Sequence, residues 1–118
     1  MTLESLDRSV LRQLEEDLGS ASALREVIGT FLETAPRLLV ALRDAAAAGD
    51  ASGVRRAAHT IKASSLILGA RDLAARCEDL ERRGRAGDVS DAMPEVQAIE
   101  ALYGAARLAL EADAGEPR

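Results

Sequence analysis

Apolar residues recur at three- and four-residue intervals along almost the whole chain, interrupted by glycines or a proline. That period belongs to the α-helix, in which residues three or four apart share a face. The first stripe is Leu6, Val10, Leu14 and Leu18, with Ser5 as the expected N-cap and Gly19 as the stop. Ser20 or Ser22 starts a second, carrying Leu24, Val27, Ile28, Phe31 and Leu32. It is expected to end before Pro36, because the residue preceding a proline is pushed out of the α region. Pro36 then suits the first turn of a third helix with Leu38, Leu39, Leu42 and Ala45 inward, closed by Gly49.

Asp50 or Ser52 caps a fourth helix bearing Val54, Ala57, Ala58, Ile61, Ser65 and Leu68, and Gly69 breaks it. The fifth runs from about Ala70 to Arg85, with Leu73, Ala74, Cys77 and Leu80 inward. Arg82, Arg83 and Arg85 fall near its end, where cations complement the helix dipole. A sixth begins near Ser90 or Asp91 and carries Val96, Ile99, Tyr103, Ala106 and Leu110. Residues 113–118 read as a frayed tail. The apolar content comes mainly from Ala and Leu, with one Phe, one Tyr and no Trp, so an all-α fold follows from composition as well. At 118 residues the chain makes one domain with its own core.

Several functions are excluded on these grounds. A net charge of −5 argues against a nucleic-acid binder, which needs a basic face. Cys77 is the single cysteine, so neither a disulfide framework nor a cysteine metal site exists; its place on an apolar stripe predicts a buried thiol. The acidic start, Met1-Thr2-Leu3-Glu4, is no signal peptide, and no apolar run reaches the roughly 20 residues that span a bilayer. A cytoplasmic protein without membrane or nucleic-acid partners is expected.

His59 is the only histidine. At about 100° per residue it lies roughly 160° from the centre of its helix's core stripe, so it faces outward. Arg55 and Arg56 stand one turn before it, and Lys62 and Ala63 one turn after. An outward imidazole with a cation beside it and a small residue above it suits accepting a phosphoryl group.

The run His59-Thr60-Ile61-Lys62-Ala63-Ser64-Ser65, followed by Leu68-Gly69-Ala70, resembles the signature of histidine-containing phosphotransfer (HPt) domains. That pattern has an acceptor His, a Lys three residues on, a Gly after the Lys and a later Gly-Ala pair. Ala63 stands where the Gly is usual. Phe31-Leu32-Glu33 and Leu80-Glu81 also look like recurrent positions of the family, and the resemblance spans roughly residues 5 to 112.

The resemblance implies an antiparallel up-down four-helix bundle over about 21–111, with a short covering helix over about 5–18. It implies a phosphorelay intermediate of two-component signalling. His59 would take a phosphoryl group from a receiver-domain aspartate and pass it to another receiver. Lys62 would compensate the phosphate charge, and a receiver would approach closely over Ala63. The resemblance is silent on Arg55 and Arg56; from their places around His59 they, with the outward Leu66 and Ile67, are read as partner-binding residues. The implied partners are response-regulator receiver domains and a sensor or hybrid histidine kinase, met by a monomer. No cofactor or metal is expected on this chain, and the Mg²⁺ of the reaction would sit on the receiver. Such a protein carries phosphate without independent turnover. Met1 favours a free-standing protein over a piece of a hybrid kinase. The alternative is a non-catalytic helical adaptor that docks such domains without carrying phosphate; His59 and Lys62 together argue against it.

Overall fold

In the computed structural model, which describes residues 5–115, local sequence rules place the ends of the helices. Asp7 caps α1 (Arg8–Leu18) by accepting from the Ser9 amide, and Gly19 ends it with a left-handed φ of 89°. Ser20 caps α2 (Ala21–Ala47) through the Ala23 amide. Asp50 caps α3 (Ala51–Ile67) through the Gly53 amide. Gly69, at φ 79°, turns the chain into α4 (Arg71–Arg85), and α5 runs Met93–Gly115. No strand occurs among the described residues.

Five helices replace the six read from periodicity, because Pro36 lies inside α2 and does not end it. The inward stripe Leu24, Ile28, Phe31, Ala35, Leu39, Leu42 and Ala45 stays in phase across the proline, and all seven are buried. Continuous burial outweighs the local penalty. Pro36 itself is exposed, so water can reach the carbonyl it leaves unpaired.

Three boundaries also move. Asp7, not Ser5, caps α1, and Leu11 is its buried residue; Val10 and Leu14 are half-buried and Leu18 is exposed. The last helix starts at Met93 instead of Ser90 or Asp91, with Pro94 in the first turn, where its missing N–H costs nothing. It stays helical to Gly115, so the tail does not begin at residue 113; residues 116–118 lie outside the description.

α2 packs on α3 and α5, and α4 packs on the same two, closing a ring around one core; α1 packs on α2. Leu42, Leu80 and Leu110 are fully buried, each worth about 1.5–3 kcal/mol over exposure. Phe31 and Tyr103, the chain's two aromatics, meet at 5.7 Å between centroids and join α2 to α5. A two-pronged ion pair, Arg43 Nε to Glu100 Oε2 at 2.8 Å and Nη2 to Oε1 at 2.6 Å, ties the same helices at the surface. The α3–α4 turn is pinned from outside by α1's cap, whose Asp7 amide donates to the Gly69 carbonyl at 2.8 Å. Arg71 adds an ion pair to Asp7 at 2.8 Å.

Candidate functional site

α3 buries its predicted stripe of Val54, Ala57, Ala58, Ile61 and Ser65, with Leu68 buried just past its end, and thereby turns His59 outward. The His59 side chain is 59 % exposed. α4 lies along α3 and buries Leu73, Ala74, Cys77, Leu80, Glu81 and Gly84 in a matching stripe. Glu81 is therefore a carboxylate at a core-facing position, with its side chain only 4 % exposed. A buried charge needs partners. It has three.

Glu81 Oε2 lies 2.9 Å from His59 Nδ1 and 2.9 Å from Arg85 Nη2, while Oε1 lies 2.7 Å from Lys62 Nζ. These contacts hold the Glu81 carboxyl below its ordinary value, the Lys62 hydrogen bond first and that of His59 after it. An ionised carboxylate beside Nδ1 makes that nitrogen the donor. The tautomer so assigned keeps the lone pair on Nε2, at the other edge of the ring.

Glu81 is the residue of this cluster that sequence reasoning left without a role. Its signal was present. Position 81 continues the inward spacing of Ala74 and Cys77, and a glutamate on such a stripe calls for a buried partner.

The other predicted residues separate into two groups. Lys62 joins His59 through Glu81. Ala63 is exposed one turn beyond the histidine, and Leu66 and Ile67 are both 54 % exposed. Ile67 also lines an apolar groove of about 220 Å³ with Val27, Phe31, Thr34, Ser64 and Leu68. Arg56 instead reaches back to Ser52 Oγ at 2.6 Å, and Arg55 packs against Gly84. Neither arginine is among the partners of His59 or Glu81.

The arginines at the end of α4 also have particular partners beyond the helix dipole. Arg82 pairs with Asp79, Arg83 donates to the carbonyls of Asp88 and Ser90, and Arg85 joins Glu81.

A larger groove of about 460 Å³, lined by Leu38, Asp44, Asp50, Arg56 and Thr60, lies between α2 and α3 and excludes His59. Cys77 is fully buried, and burial first, with Glu81 nearby, pushes its thiol up to about 12. It is no nucleophile near neutral pH. Among the described residues no group of three or more His, Cys, Asp or Glu is placed to hold a metal ion. No helix among them is long and apolar enough to cross a membrane.

Comparison with known proteins points one way. The family model described as the Hpt domain matches residues 26–109. The crystal structure of histidine-containing phosphotransfer protein B (HptB) from Pseudomonas aeruginosa PAO1 superposes with a TM-score of 0.90 at 28 % identity. It covers 99 % of this chain and 100 % of that one. No curated protein matches the chain.

Proposed function

The chain belongs to the Hpt domain family of two-component phosphotransfer proteins, and on that premise we propose that His59 is its phosphoryl acceptor. The observation that carries this reading is the Glu81 contact to Nδ1 at 2.9 Å, on a ring otherwise turned to solvent. It leaves Nε2 as the nucleophile. The imidazole lone pair attacks the phosphorus of a receiver aspartyl phosphate. The P–O bond to the donor breaks, and its electron pair stays on the aspartate carboxylate. The new N–P bond gives the ring a positive charge that the Glu81 carboxylate stabilises by accepting the Nδ1 hydrogen bond. Reversal onto a second receiver passes the group onward.

Phosphoryl transfer asks a protein for positioning and for compensation of negative charge. Lys62, one turn from His59, supplies the cation. Ala63, Leu66 and Ile67 form the surface a receiver covers, and the Mg²⁺ belongs to that receiver. Arg55 and Arg56 take a lesser part, at the rim of the contact. The ring of α2 to α5 is an antiparallel up-down four-helix bundle in this reading, with α1 as its cover. The protein carries phosphate between a sensor kinase and response regulators and turns over no substrate alone.

The test is transfer from a phosphorylated receiver domain to the wild type and to His59→Gln. With one histidine in the chain, label on the wild type and none on the variant is expected, stable to base and labile to acid. A wild type that stays unlabelled with several receivers while folded supports the adaptor alternative.

A further inference from the structure

Glu81 is compensated twice over, by Lys62 on one oxygen and by Arg85 on the other. A buried carboxylate with two cations can release one without being stranded; with one cation it cannot. The two cations are not equivalent. Lys62 sits on α3 with His59, touches the oxygen that the imidazole leaves unused, and ends a flexible four-carbon stem. Arg85 shares Oε2 with Nδ1, so it stands on the edge of the ring away from Nε2. Its guanidinium is planar and permanently charged. A phosphoryl group on Nε2 brings strong negative charge to the outer edge of the ring, and the mobile cation is the one drawn to it.

We propose that Arg85 is a positioning residue that holds Glu81 in place, so that Lys62 can leave the carboxylate and turn to the phosphoryl group on His59. This rests on His59 being the acceptor. Lys62 has two positions in this scheme: on Glu81 before transfer, on the phosphoryl oxygens during and after it. Arg85 stays on Glu81 throughout. Glu81 keeps the Nδ1 proton in both states, and the ring is held in one orientation while the group arrives and leaves. No bond is made or broken by Arg85.

The idea separates cleanly from direct phosphate contact by Arg85. Removing the charge of Glu81 frees Lys62 regardless of Arg85, so the effect of losing the arginine should depend on the glutamate. The experiment measures the initial rate of phosphorylation of the full chain by phosphoramidate in wild type, Arg85→Gln, Glu81→Gln and the double variant. Arg85→Lys is included as the charge-conserving rescue. Arg85→Gln is expected to slow phosphorylation at least about tenfold. It should have no further effect in the Glu81→Gln background, and Arg85→Lys should restore most of the rate. Nitrogen-15 shifts of the single histidine should keep the Nδ1–H form in Arg85→Gln before phosphorylation, which reports that the ring is still held. An equal loss from Arg85→Gln with and without Glu81, or no loss at all on a wild type that takes label, overturns this role alone. A wild type that takes no label overturns the acceptor reading and this one with it.

Discussion

Glu81 Oε2 and His59 Nδ1 lie 2.9 Å apart, joining α3 to α4 across 22 residues of sequence. The carboxylate is buried and the imidazole is exposed. A buried base fixes one edge of a ring whose other edge meets solvent. Replacing Glu81 by Ala removes the acceptor for the Nδ1 proton and frees the ring to rotate. Phosphoryl acceptance should fall roughly ten- to a hundredfold, by analogy with the loss of an outer partner that orients a metal-ligating imidazole. Transfer kinetics from a receiver, with helicity by circular dichroism as the control, check it.

The same carboxylate makes stability depend on pH in a defined direction. Glu81 titrates below the ordinary glutamate value of 4.5, first through the Lys62 hydrogen bond. Its contribution is therefore complete above that value and disappears as pH falls through the lowered folded-state value. Urea denaturation of wild type and Glu81→Gln, compared between about pH 6 and pH 3, should show the wild type losing ground to the variant as acid is added.

Ala63 is exposed on α3, one turn past His59. Changing it to Gly should lower stability by up to about 1 kcal/mol, because glycine loses more backbone freedom in a helix. If the alanine methyl hinders the receiver, transfer should also become faster. Thermal denaturation measures the first effect and stopped transfer reactions the second.

Gly84 packs directly against the backbone of α3. A Cβ there would lie 2.8 Å from the Ala51 carbonyl oxygen and 2.9 Å from the Arg55 amide nitrogen. Backbone atoms on a packed helix cannot step aside. Gly84→Ala should destabilise by about 1–3 kcal/mol, as overpacking does, despite the better helix propensity of alanine. Equilibrium urea unfolding reads this directly.

Pro36 tests the opposite case. It lies inside α2, is exposed, and removes one helix hydrogen bond. Pro36→Ala restores that bond without disturbing the core and should raise stability by about 1–3 kcal/mol. A shift of the urea midpoint to higher concentration, with transfer unchanged, is the expected result.

Much of the fold was legible before any coordinates. Period, caps and glycine stops are local properties, so the inward stripes of α3, α4 and α5 and the Gly19 and Gly69 stops could be read from neighbouring residues. The caps of α2 and α3 narrowed to two candidates each, of which the structure uses Ser20 and Asp50. The outward direction of His59 followed from the same geometry, because a helix's rotation about its axis is set by which side chains it buries. What local rules could not decide was where two local signals compete or where two distant segments meet. Pro36 argued for a break, and only the uninterrupted packing of α2 on α3 and α5 overrode it. Glu81 was visible as a charge on an apolar stripe, but its partners lie on a different helix and one turn further along its own. Their convergence depends on how α4 is placed and rotated against α3, and the close packing at Gly84 belongs to that placement. The sequence by itself determined the helical character, the inward stripes and the outward direction of His59. Tertiary packing decided which atom of that side chain is held and which is free, because a buried carboxylate acquires its role only from the groups that surround it.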